Sequence, residues 1–179
     1  MLTLTIPEQE FYDPIKEKFF QEKEVSLVME HSLVSLSKWE AIWKKPFLTK
    51  GNKTKEETID YLRQMVITQN VSDYVFSRLT QENIDRVTSY IEDSMSATTF
   101  KEEKGSSSHE IITSELIYYW MIAFQIPFEC QKWHLNRLLN LIKICNIKNK
   151  PAKKRSTRDV LRENKALNDA RRAKLNTKG

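Results

Sequence analysis

Residues 29–46 read MEHSLVSLSKWEAIWKKP, and the spacing of the apolar residues changes within them. Up to Met29 the period is two: Val25, Leu27 and Met29 alternate with polar or smaller neighbours, as Leu2, Leu4 and Ile6 alternate with Thr3 and Thr5. Alternation of that kind turns one face of a strand inward. From Ser32 the period becomes that of a helix, with Leu33, Leu36, Trp39 and Trp43 on one face, and Pro46 ends the run. Between the two period-two stretches, Phe11-Tyr12, Asp13-Pro14 and Lys18-Phe19-Phe20 read as a hairpin whose turn opens at Asp-Pro.

Helical spacing continues downstream. Thr54 and Glu57 form a capping box ahead of Ile59, Leu62, Met65 and Val66. A short helix is expected around Val71, Tyr74, Val75 and Leu79, and Thr80 then caps a helix whose inward stripe is Ile84, Val87, Ile91 and Met95. Residues 96–109 read as a connection, with Ser108 capping a very apolar helix that ends near Gln125, ahead of Pro127. A last helix carries Leu135, Leu138, Leu139, Ile142 and Cys145 on one face. The expected fold class is therefore mainly α: a helical bundle (32–146) with a small N-terminal β unit (1–31) and a basic C-terminal helical tail (147–179).

The charge is uneven. Of 29 Lys and Arg, 12 fall in 147–179, against 3 of the 24 acids, so that segment carries +9 and residues 1–146 carry −4. The tail has no aromatic residue, and Ser156 reads as the cap of a helix whose apolar stripe is thin. Lys153, Lys154, Arg155, Arg158, Arg171 and Arg172 are its candidate contact residues. They suit the phosphates of a nucleic acid, an acidic protein surface, or solvent alone.

Signs of catalysis are sparse. With three isolated glycines the chain has no phosphate-cradling loop, and its two cysteines make neither a disulfide scaffold nor a CxxC zinc pair. His109-Glu110 begins like a zinc-protease helix but has Thr113 where the second His belongs. Cys130 and His134 stand four residues apart, with no third group evident to orient the imidazole. The expectation is a protein with no catalytic residue, metal or cofactor. The tryptophans at helical spacing read first as core, and alternatively Trp39 or Trp133 anchors a partner helix.

The longest uninterrupted apolar run, Leu116–Phe124, has 9 residues, far below the ~20 that span a bilayer. The start MLTLTIPEQEFYD lacks the basic and apolar regions of a signal peptide. A cytoplasmic protein with no membrane partner is expected.

Several stretches resemble one family. They are Glu30-His31-Ser32-Leu33 running into Ser37-Lys38-Trp39-Glu40 and Lys45-Pro46-Phe47-Leu48; Ile111-Ile112-Thr113-Ser114-Glu115 with Tyr118-Tyr119-Trp120; Pro127 through Leu138; and Ala170-Arg171-Arg172-Ala173 through Gly179. Together they are similar to the tail assembly chaperone-type proteins of long-tailed, siphovirus-like bacteriophages. The resemblance implies a role without a chemistry: holding a tape measure protein soluble in the host cytoplasm until the tail tube forms around it. The alternatives are a virion component, such as a head–tail connector or tail completion protein, and a small nucleic-acid-binding protein acting through the tail.

Overall fold

The computed structural model describes residues 1–49, 51, 53–100, 110–149 and 156–176. Its first elements are nested hairpins. β1 (Leu2–Ile6) pairs antiparallel with β4 (Val25–Met29), Leu4 opposite Leu27, while β2 (Gln9–Asp13) pairs with β3 (Lys18–Glu22), Phe11 opposite Phe20. Asp13 Oδ1 accepts from the amides of Ile15 and Lys16, closing the turn that Asp13-Pro14 predicts. Where the inner hairpin leaves the outer one, the buried guanidinium of Arg78 gathers three carbonyls through one nitrogen, Pro7 at 2.8 Å and Glu22 and Lys23 at 3.2 Å.

α1 (Leu33–Trp43) starts at a reciprocal Ser32–Ser35 capping box and ends at Lys44, which takes a left-handed φ of 53°. α2 (Lys55–Met65) starts at the expected Thr54–Glu57 box. α3 (Tyr74–Ser77) is a single turn, and Thr80 caps α4 (Gln81–Glu92) by accepting from the Asn83 amide. α5 (Ser114–Ala123) is capped by Thr113; the expected cap Ser108 lies outside the described residues. Its far end is a Schellman closure: Ile126 N–H donates to Met121 and Gln125 N–H to Ile122, with Gln125 held at φ 54° where glycine is usual. A 3-10 turn (Phe128–Lys132) leads into α6 (Leu135–Asn149). Asn136 and Asn140 of α6 donate to the carbonyls of Ile91, Asp93 and Ser94, supplying partners that the end of α4 cannot find within itself.

Two apolar cores result. One joins Leu4, Ile6, Leu27 and Met29 of the strands to Trp39, Tyr61, Leu62, Met65, Val75, Val87 and Tyr90; the other joins Leu33 and Leu36 to Ile117, Met121, Ile126, Cys130, Leu135, Leu138 and Ile142. α1 serves both, because Leu36 and Trp39 project from one helical turn into different cores.

The strands correct the expected fold class: the protein is α+β, with seven α-helices and two two-stranded antiparallel sheets among the described residues, and not a mainly α bundle. The physical reason lies in the inward residues of β1 and β4. Leu4, Ile6 and Leu27 are wholly buried, so the outer hairpin is a wall of the first core and not an appendage to a bundle. The phase of α4 is also corrected. Val87 and Tyr90 are buried while Ile84 is exposed, and Met95 lies beyond the helix end. The chain divides into Met1–Asn146 and Ile147–Gly179; the second unit contains α7 (Thr157–Leu175), whose described side chains are exposed.

Candidate functional site

Behind the first core lies a buried polar network. β4 ends at Met29, which delivers Glu30 and His31 to the start of α1, and α2, α4 and α6 close around them. The Tyr90 hydroxyl donates to Glu30 Oε1 at 2.5 Å, and Glu30 Oε2 lies 3.0 Å from the Met1 amino nitrogen. His31 Nδ1 and the Tyr61 hydroxyl are 2.5 Å apart, one hydrogen bond whichever of the two donates. Burial, with His134 nearby, pushes the His31 pKa down from 6.5 to about 3, so the ring is neutral. Burial also raises the hydroxyl pKa values of Tyr61 and of Tyr90, the latter helped by the bond to Glu30.

His134 is oriented by backbone. Its Nε2 is 2.9 Å from the Tyr90 carbonyl, which only accepts, so Nε2 carries the hydrogen and Nδ1 accepts from the Asn136 amide at 3.3 Å. Both ring nitrogens are thereby used. Cys130 and His134 do not share a helical face, because the 3-10 turn ends at Lys132 and Trp133 is extended. Cys130 packs in the second core. His109 lies outside the described residues, and among those described no three His, Cys, Asp or Glu converge as metal ligands. The network joins the end of β4 to α2, to α4 and to the start of α6.

Two carboxylates join helices in the same way. Glu40 of α1 accepts from the Phe47 amide at 2.8 Å and from the Ser114 amide, in the first turn of α5, at 2.7 Å. Glu57 receives the ammonium of Lys45, which with the Thr54 amide holds its carboxyl below the ordinary range, and its carbonyl accepts from Trp39 Nε1 at 2.8 Å.

The surface differs. α5 has one charged residue, Glu115, and is apolar on every side. Its inward face fills the second core, while Tyr119 and Ile122 remain 63% and 62% exposed on the other. On another side of α5, Trp120 and Phe124 form, with Ile112 and with Leu139, Ile142 and Lys143 of α6, an open apolar groove of about 340 Å³. A second groove of about 350 Å³ runs past Trp133, over whose ring the Arg137 guanidinium sits at 4.3 Å.

The sequence-predicted contact residues therefore separate. Trp39, at 1% exposure, is core and corrects its reading as a partner anchor; the cause is its indole N–H, which is spent on the Glu57 carbonyl inside the protein. Trp133 is half-buried in a groove wall. Arg158, Arg171 and Arg172 are exposed on α7, and Lys153, Lys154 and Arg155 lie outside the described residues. Sequence reasoning missed Tyr119, Ile122 and Trp120 as surface; the available signal was a helix too apolar all round for a single buried face.

No helix among the described residues is long and apolar enough to cross a membrane. Compared with family models, characterised proteins and solved structures, the chain matches none.

Proposed function

We propose that this protein works by binding other polypeptides rather than by catalysis, as a tail assembly chaperone that keeps a tape measure protein soluble in the host cytoplasm. The observation that carries the binding role is α5, which exposes Tyr119 and Ile122 on one side and lines an apolar groove with Trp120 and Phe124 on another. Exposed apolar surface on two sides of one helix of a small protein marks a contact region. A groove between two helices takes the apolar face of a third, which is what an extended helical partner presents at intervals. The resemblance in Ile111–Glu115, Tyr118–Trp120 and Pro127–Leu138 supplies the identity of the partner, and two of these stretches flank or line this groove.

Co-expression with the tape measure protein of the same phage tests the role. The tape measure protein should move into the soluble fraction in complex with this chain, and the chain should be missing from finished tails. A tape measure protein equally insoluble with and without it refutes the proposal, and stoichiometric recovery from virions replaces it with the virion-component reading.

A further inference from the structure

α7 carries its cations in a row. At about 100° per residue, Arg158, Arg162, Lys165 and Arg172 fall within an arc of about 80°, and at about 1.5 Å per residue the row is about 21 Å long. All four side chains are exposed. Asp169 is the one acid inside the arc, whereas Arg171 and Lys174 project from other sides of the helix.

We propose that α7 is a nucleic-acid-binding element that lies along the phosphate backbone of a duplex, held by Arg158, Arg162, Lys165 and Arg172, and does not read base sequence. A row of four cations about 21 Å long faces a duplex that carries one phosphate charge per about 1.7 Å of its axis, so several phosphates come within reach wherever the row is laid. Three of the four residues are Arg, whose planar fork bonds phosphate oxygens in pairs. α7 has no aromatic side chain to stack on a base, which leaves the backbone as what it can grip.

The other anionic surfaces fit less well. Val160, Leu161, Leu167 and Leu175 are α7's large apolar residues, and Asn164, Asn168 and Arg171 interrupt their side of the helix. That broken stripe has neither the continuous apolar face of a membrane-surface helix nor the aromatic anchors of a protein contact. The −4 carried by residues 1–146 repels phosphate, so the attraction belongs to the +9 segment.

The test is fluorescence anisotropy of the full-length protein with a labelled DNA duplex and a labelled RNA duplex of two unrelated sequences each, titrated at several salt concentrations. Binding should be equal for the two sequences and should weaken steeply with salt. R158Q/R162Q should flatten the plot of log affinity against log salt by about 1.8, at about 0.9 per lost phosphate contact. R171Q/K174Q removes the same charge from outside the row and should leave the slope nearly unchanged, and R158K/R162K should retain most of it. Circular dichroism of each variant checks that α7 stays helical, which Gln favours. Indifference to both duplexes at low salt, equal flattening by the two Gln pairs, or tighter binding to polyglutamate or to anionic phospholipid vesicles overturns the proposal.

Discussion

His31 and His134 meet edge to face with ring centroids 5.1 Å apart, and the backbone repeats the contact, since the Leu135 amide donates to the His31 carbonyl at 2.7 Å. The pair ties the strand-to-helix corner at β4 to the start of α6. Its position decides how the protein answers to acid.

With the folded pKa of His31 lowered to about 3 from 6.5, the unfolded chain binds the extra proton throughout the interval between them. Stability from this group is therefore complete above pH 6.5 and is lost as pH falls toward 3. Between pH 6.5 and the carboxylate range near 4.5 the loss should reach about 2 kcal/mol. Urea melts across that range measure it. His31→Gln, which keeps an acceptor for Tyr61, should be less stable at neutral pH and should flatten the dependence.

Glu40 links the Phe47 amide to the first turn of α5. Glu40→Ala leaves two N–H groups without their acceptor and should cost about 2–4 kcal/mol, with faster amide exchange at Phe47 and Ser114. Glu40→Gln, which keeps one acceptor oxygen, should cost about half as much. Equal exchange rates in the wild type and Glu40→Ala would show that the carboxylate does not hold these amides.

Gln125 occupies a left-handed position that suits glycine. Gln125→Gly should raise stability by about 0.5–1 kcal/mol, read as a higher thermal midpoint with unchanged near-ultraviolet dichroism. A lower midpoint would mean that the Gln125 side chain contributes more than its backbone costs.

Tyr119 and Ile122 contribute surface, not core. Tyr119→Asn combined with Ile122→Asn should change stability by less than about 1 kcal/mol and should abolish solubilisation of the tape measure protein. Trp39→Ala, by contrast, should cost about 3–5 kcal/mol through the cavity it opens. A surface double variant that still solubilises the partner would move the binding site elsewhere.

Local signals were the most readable part of this sequence. The Thr54–Glu57 box, the Thr80 cap, the Asp13-Pro14 turn and both alternating stretches are encoded in neighbouring residues, and each takes the form that neighbours dictate. What depends on distant partners was not readable. Tyr90, not Ile84 or Met95, faces inward because its hydroxyl reaches the Glu30 carboxylate, and no periodicity records that acceptor. The role of Glu40 depends on an amide beyond the reach of any local pattern, at Ser114 on another helix. The two outer strands were legible as strands but not as a wall of the core, and that membership is what makes the fold α+β. At the surface, composition identified α5 as apolar but not which of its sides stays uncovered.

One helical turn of α1 separates Leu36 from Trp39, and they serve different cores. Neither core can melt and leave α1 intact for the other, so heat should dissolve residues 1–146 in a single calorimetric peak, with van 't Hoff and calorimetric enthalpies equal. Under the proposed function, such shared melting means that a partner seated in the α5 groove should protect the distant β-ribbon from proteolysis as well.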